Sequence, residues 1–387
     1  MKKVAIGQAG GPTAVINATL AGFVKEIERD HALLFIQNGY EGLAHGMYLD
    51  GDSEMLSRVH LHQDVPGACL GSGRFPLTDE HIENGVRLLQ AQGVEVLVFI
   101  GGNGTMEALA KVEAEARRQN VSLQVLGLPK TVDNDLGGTD HAPGFGSSAR
   151  YVAQATRDMS RDLASMQNFE KVRVLETMGR NAGWLSAASG LLQEYEEEGP
   201  HFIAIPERPI KKEVLLENVN TALNRFGYAT VVVSEGVLFG NSGQVERGNV
   251  DGRAILGGIS SQVAHFLKDE LSVMTRAELL GMNQRSFSAV ISDVDREEAY
   301  TVGRVGAEWI REGRSNVMVS IQRNAHHRYS VKMLPIELEK VVEAGERVLP
   351  DAFIQNKKTY YEWLKPLIGE DLATYPPPIK GYEIYVD

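Results

Sequence analysis

A chain of 387 residues is long enough for two ordinary domains, and 43% hydrophobic with 23% charged residues is the balance of a sequence that builds packed cores. Its formal net charge of -12 argues against a nucleic-acid partner, because that binding draws most of its free energy from clustered Lys and Arg meeting phosphates. Cys69 is the single cysteine, so no disulfide forms within the chain and the cytoplasm is the default location. Two lysines followed by only three apolar residues lead into Gly7, too few for the hydrophobic region of an export leader. Apolar runs such as Val96-Leu97-Val98-Phe99-Ile100 are far shorter than the roughly 20 residues of a membrane-spanning helix. They read as buried strands, and no membrane partner is expected.

The run Val4-Ala5-Ile6 ends at the turn Gly7-Gln8-Ala9-Gly10-Gly11-Pro12, after which Ile16, Leu20, Phe23, Val24 and Ile27 recur at helical spacing. Ala32 to Ile36 reads as a strand ending at Gln37. Strand, glycine-rich turn and helix return with Val94 to Ile100, then Gly101-Gly102-Asn103-Gly104-Thr105, then Met106 to Arg117. Val121 to Gly127 reads as a further strand, closed by Pro129. Short continuous apolar strands alternating with helices predict a parallel sheet covered on both faces, a doubly wound α/β fold. After the polar stretch from Pro129 to Ser148 the alternation resumes: strand Val172 to Glu176, helix Trp184 to Leu192, strand Phe202 to Ile205, helix Glu213 to Phe226 and strand Ala229 to Ser234. The expectation is two doubly wound, Rossmann-like parallel-sheet domains with the site in the cleft between them. The first covers 1–150, with about 290–345 (helix Arg296 to Arg311, strand Val317 to Ile321) returning to it. The second covers 151–289 and the tail, which from Val348 reads as irregular wrapping.

In open α/β sheets ligands sit at the carboxyl ends of strands, so the loops after Ile6, Ile100 and Leu128 are the places to search. Both glycine loops precede helices, where bare backbone N–H groups and the helix dipole hold phosphate. A tight turn is the plain alternative for either loop alone, whereas two in one domain suggest a polyphosphate. Neither ends in the Gly-Lys-Ser/Thr of a Walker A loop, and neither has the full Gly-x-Gly-x-x-Gly dinucleotide spacing. The most informative stretch is Pro129-Lys130-Thr131-Val132-Asp133-Asn134-Asp135. Moving a phosphoryl group needs a carboxylate to take the hydroxyl proton, a cation to neutralise the transferring oxygens and a metal ligand; Asp133, Lys130 and Asp135 supply these types. An Asx-rich turn is the alternative reading. Met178-Gly179-Arg180 and Pro206-Glu207 follow strands, and Arg276 and Arg285 flank Leu280-Gly281; such arginines can fork onto a sugar phosphate. His60 with His62 shows no metal spacing, and His326-His327 reads as a solvated turn.

The ordered set of Gly10-Gly11, Gly71-Ser72-Gly73-Arg74, Gly101 to Thr105, Lys130 to Asp135, Met178-Gly179-Arg180, Pro206-Glu207 and Gly281-Met282-Asn283-Gln284-Arg285 resembles the phosphofructokinases over roughly residues 4–310. The resemblance implies phosphoryl transfer to the 1-hydroxyl of fructose 6-phosphate, with Asp133 as base and Thr131, Lys130 and Arg180 steadying the phosphoryl. It implies a donor held by Gly10, Gly11, Arg74, Gly102, Asn103, Gly104 and Thr105, with Mg²⁺ near Asn103 and Asp135. The sugar phosphate would meet Thr131, Asp133, Met178, Gly179, Arg180, Glu207, Arg276, Met282 and Arg285, with Lys171 lent by a neighbouring subunit of a homodimer or homotetramer. Asn103 stands in place of the family's usual Asp, Met282 in place of a frequent His, and Lys171 in place of Arg. Gly104 leaves room for a nucleotide and favours ATP, whereas Lys130 is typical of pyrophosphate users. Steric exclusion is the stronger criterion, so ATP is the first reading and pyrophosphate the alternative, although the resemblance, including Asp140-His141-Ala142-Pro143-Gly144-Phe145-Gly146, is closer in flavour to the pyrophosphate-type branch. A non-catalytic sugar-phosphate sensor is the other class weighed, and retention of Asp133, Lys130 and Thr131 argues against it. A dinucleotide oxidoreductase lacks its fingerprint.

Overall fold

The computed structural model describes residues 1–240, 243–250, 253–324 and 328–379; His326-His327 and the end of the tail lie outside them. Its strands are β1 (Lys3–Gln8), β2 (Ala32–Ile36), β3 (Tyr48–Asp50), β4 (Val96–Gly101), β5 (Gln124–Pro129), β6 (Val172–Thr177), β7 (Phe202–Ala204), β8 (Ala229–Ser234), β9 (Glu246–Val250), β10 (Arg253–Leu256), β11 (Thr275–Leu279), β12 (Val317–Arg323) and β13 (Val331–Glu337). Seven form one sheet in the order β13-β12-β5-β4-β1-β2-β3, and four form a second in the order β11-β6-β8-β7. The second sheet is parallel throughout, and the first is parallel except at its two edge pairings, β12 with β13 and β2 with β3. Every residue of β4, β5, β6 and β8 is buried, which is why these strands read as unbroken apolar runs rather than alternating ones.

β5 runs Gln124–Pro129, later than the sequence pattern suggested, because Val121 is spent on closing the preceding helix: its N–H donates to the Ala116 carbonyl over 2.8 Å, after Asn120 at φ 55. The helix after β4 begins at Asn103 (Asn103–Arg118), with Gly102 as N-cap. The glycine stretch is therefore the first turn of the helix itself. Residue 150 falls inside the long helix Phe145–Ser165, so the chain passes from the first sheet to the second along a rigid rod. The tail is irregular wrapping only in part: from residue 365 onward no helix or strand is formed as far as 379. Asp351–Gln355 and Lys357–Leu364 are helices, and Phe353, Tyr360 and Trp363 pack with Trp184 in one aromatic cluster. The Tyr360 hydroxyl donates to the Trp184 carbonyl over 2.6 Å. Tyr360 and Leu364, one helical turn apart and both buried, supply the apolar stripe that makes this segment helical once it has a partner. Among the described residues no helix is long and apolar enough to cross a membrane.

The helix after the first glycine loop, Ile16–Ile27, is held by helix Asp293–Arg311 through two glycines. A Cβ on Gly303 would lie 2.0 Å from the Thr19 carbonyl oxygen, and one on Gly22 would lie 2.1 Å from that of Tyr300. The backbones meet where only hydrogen fits. Gly303→Ala is expected to destabilise the fold by about 2–3 kcal/mol through forced separation of the helices, read as a lower chemical-denaturation midpoint at unchanged slope.

Candidate active site

Gly10, at φ 77, turns the chain after β1. Its N–H donates to the Gly73 carbonyl over 3.2 Å, and Ser72 Oγ donates back to the Gly10 carbonyl. Two buried amides reinforce this junction. Gln8 Nε2 donates to Asn17 Oδ1 over 2.9 Å while Gln8 Oε1 accepts the Leu70 N–H over 3.0 Å, and Asn17 Oδ1 also accepts the Cys69 N–H. Burying two amides with their hydrogen bonds satisfied is what ties the loop bearing Arg74 to the first glycine turn.

The stretch after β5 lies beside it. Lys130 is 4% exposed. Its N–H donates to the Gly101 carbonyl over 2.9 Å, and its Nζ donates to the Gly11 carbonyl over 2.6 Å. Desolvation pushes its ammonium down to about 8, opposed by Asp135 and Asp133. Thr131 Oγ1 donates to Asp135 Oδ1 over 2.9 Å and accepts the Asp133 N–H over 3.1 Å. Asp133 is half-buried, and its Oδ1 is enclosed without a hydrogen-bond partner. Burial, then the negative charges of Asp135 and Glu235, push its carboxyl up to about 7, while Lys130 and Arg74 pull it down. A carboxylate with an unsatisfied oxygen and an affinity for protons near neutrality is the group type a general base requires. Asn103 Nδ2 donates to the Asp135 main-chain carbonyl over 2.8 Å. Asn103 thus fastens the second glycine turn to the Asp-rich loop and keeps its own carbonyl oxygen available. A Cβ on Gly104 would meet nothing within 4 Å.

From the second sheet, Gly179 (φ 122) follows β6, and its carbonyl accepts from Ser234 Oγ at the end of β8. Met178 N–H donates to Gln284 Oε1 over 2.9 Å. Arg285 reaches across to the first domain: a Cβ on Gly11 would stand 2.9 Å from Arg285 Nη1. Arg285 is held below its ordinary range by desolvation, opposed by Asp133 and Glu235. The residues after β1, β5, β8 and β11 therefore converge. Other expected residues are engaged elsewhere. Arg276 Nε sits 3.3 Å from Glu170 Oε2. Glu207 Oε1 accepts the Gly183 and Leu349 N–H groups over 2.9 and 2.7 Å, with Oε2 enclosed and unpartnered. Met282 is 59% exposed, and Lys171 pairs its backbone with Met274 and Ala229 at the start of β6.

The phosphofructokinase family model matches residues 3–310. The chain belongs to the phosphofructokinase family. It is 45% identical over 366 residues to a sulfofructose kinase from Alkalicoccus urumqiensis, covering 95% of each chain. It is 34% identical to a pyrophosphate–fructose 6-phosphate 1-phosphotransferase from Xanthomonas campestris pv. campestris, over 90% of this chain and 86% of the relative. A crystal structure of pyrophosphate-dependent phosphofructokinase from Nitrosospira multiformis superposes with a TM-score of 0.85 at 31% identity, covering 100% of this chain and 96% of that one.

Glu235, immediately after β8, escaped the reading by motif. Burial, then Glu176, raises its carboxyl, while Arg180 and Arg74 oppose the shift, and its charge is felt by both Asp133 and Arg285. The signal was present: an acidic residue directly after a fully buried parallel strand sits where ligands bind. Removing the Lys130 charge as Lys130→Met takes away an attraction that favours ionised Asp133. The carboxyl ¹³C resonance of Asp133 is expected to titrate at higher pH in that variant than in the parent.

Proposed function

We propose that this chain transfers the terminal phosphoryl group of ATP to the 1-hydroxyl of fructose 6-phosphate, giving fructose 1,6-bisphosphate as a cytoplasmic glycolytic kinase. The observation that carries the reading is Asp133, a carboxylate with an enclosed, unsatisfied oxygen beside the buried ammonium of Lys130 and the first glycine turn. Asp133 takes the hydroxyl proton as the sugar oxygen attacks phosphorus, Lys130, Thr131 and Arg180 steady the transferring oxygens, and the leaving nucleotide departs along the first domain. Residues 1–150 with about 290–345 hold the donor, through Gly10, Gly11, Arg74, Gly102, Asn103, Gly104 and Thr105. Residues 151–289 with the tail hold the sugar, through Met178, Gly179, Arg180, Glu207, Arg276, Met282 and Arg285, and Glu235 joins this set as an acceptor for sugar hydroxyls.

Among the described residues no cluster of three His, Cys, Asp or Glu side chains is arranged for a metal. One carboxylate, Asp135, with the Asn103 carbonyl oxygen suits Mg²⁺, which keeps waters and leans on substrate phosphates. When bound, Mg²⁺ neutralises charge on the donor oxygens. Lys171 is supplied by a second subunit of a homodimer or homotetramer. Supporting that assembly, Phe169 and Met274 leave apolar side chains exposed beside Lys171, whose N–H donates to the Met274 carbonyl.

For the donor, the open space beside Gly104 favours ATP. Pyrophosphate is the second reading, supported by Lys130 and by the name of the Xanthomonas relative. For the acceptor, a sulfofructose is the second reading, supported by the 45% identity to a sulfofructose kinase. Lys171 in place of Arg gives up a bidentate fork, Met282 in place of His gives up a donor, and Arg276 is drawn to Glu170. Each weakens recognition of a phosphate carrying nearly two charges more than that of a singly charged sulfonate.

Initial rates with ATP or pyrophosphate as sole donor, and the phosphate or sulfonate sugar as acceptor, separate these readings. The ATP reading fails if only pyrophosphate supports turnover, and silence with every pair would establish the sensor instead. Asp133→Ala is expected to lower kcat by about two to four orders of magnitude with little change in donor affinity.

A further inference from the structure

The loop that carries Asp133 rests on the segment that follows it. Thr131 N–H donates to the Pro143 carbonyl over 3.2 Å. On either side of Pro143 that segment is pinned to helix Asp293–Arg311 by buried ionisable groups. Asp295 Oδ1 accepts the Gly144 N–H over 2.8 Å, and its Oδ2 accepts the Ser147 N–H and hydroxyl over 2.9 and 2.6 Å. His141, 2% exposed, lies between two carboxylates: Nδ1 is 2.8 Å from Asp140 Oδ1 and Nε2 is 2.6 Å from Glu298 Oε2. Tyr329 donates to Glu298 Oε1 over 2.6 Å. Trp363 Nε1 donates to Asp140 Oδ2 over 3.2 Å, with Arg323 Nε 3.4 Å from Asp140 Oδ1.

We infer that His141 is a positioning residue for phosphoryl transfer: held as an imidazolium between Asp140 and Glu298, it locks the loop bearing Thr131 and Asp133 onto helix Asp293–Arg311. This rests on Asp133 being the base. Both ring nitrogens face carboxylate oxygens, and only the charged ring donates from both. A neutral ring leaves one of the two facing carboxylate oxygens without a donor, with Asp140, Glu298 and Asp295 still in place and, among the described residues, Arg323 and the more distant Arg347 as the cations felt by Asp140. The attraction of Glu298 and hydrogen bonds to Asp140 and Glu298 outweigh desolvation and raise the ring to about 9. The folded-state value lies above the ordinary one, so the stabilisation is complete below about 6.5 and is lost as pH rises through about 9.

His141→Gln keeps one donor and loses the charge. It is expected to lower kcat about ten- to a hundredfold with both KM values within about threefold, since a small displacement of a base costs turnover more than affinity. Amide hydrogen exchange without substrate should quicken at 131–135, 144 and 147 and stay unchanged in β8. Should His141→Gln fail to fold, Glu298→Gln keeps the side-chain shape and takes its place, and its His141 ring should titrate below the parent value by ¹⁵N NMR. Unchanged exchange at 131–135 in both variants overturns the clasp, whatever the activity. If the parent turns over none of the substrate pairs while exchange still quickens, the clasp stands and the kinase reading falls.

Discussion

Placing an ammonium and two carboxylates together at the end of a buried strand is the constraint around which this molecule is arranged. Charges removed from water cost several kcal/mol each unless their partners are close and well oriented. Lys130 meets that cost through Gly11 and the two aspartates, and Asp135 through Thr131. Asp133 is left partly unpaid, with one enclosed oxygen and no donor. That enclosed oxygen is the feature on which the proposed proton transfer rests.

The surrounding architecture keeps those charges where they are. Main-chain groups rather than long side chains do most of the holding: the Gly101 carbonyl receives the Lys130 N–H, and the Pro143 carbonyl receives the Thr131 N–H. Backbone contacts from buried strands and helix ends carry little conformational entropy, so they fix position more tightly than flexible side chains. The Gly22 and Gly303 backbones then fix the helix behind the first glycine turn against the helix that also carries Asp295 and Glu298. One helix, Asp293–Arg311, therefore supports both the helix behind the first glycine turn and the segment on which the Asp-rich loop rests.

The departures from the family pattern have a physical sense within this geometry. Asn103 removes a negative charge from a region already crowded by Asp133, Asp135 and Glu235, and its amide cross-links the glycine turn to the Asp-rich loop, which a carboxylate at that position could not do toward a carbonyl. Lys171 precedes β6 and Met282 follows β11, so these two departures stand at opposite ends of the second sheet.

Both the layered α/β architecture and the Asp-rich loop were legible in the sequence, because fully buried parallel strands leave unbroken apolar runs and because carboxylates after such a strand have no structural excuse. Boundaries slipped where an αL residue such as Asn120 closed a helix against the pattern, and where the glycine stretch proved to be the helix's own first turn. The two tail helices are not legible in the sequence because Tyr360 and Leu364 show a helical stripe only when Trp184 is there to receive it. Glu235 and His141 were missed as individual residues for a related reason: neither carries a motif, and each matters through charges brought to it from distant elements. By itself the sequence determined the local chemistry, meaning which strands are buried, which turns are glycine-rich and which loop gathers an ammonium and two carboxylates. Only the tertiary structure decided how far each charge is desolvated, which carboxylate is left unpaired and which helix holds the loop, since desolvation and pairing depend on groups that are neighbours in space and strangers along the chain.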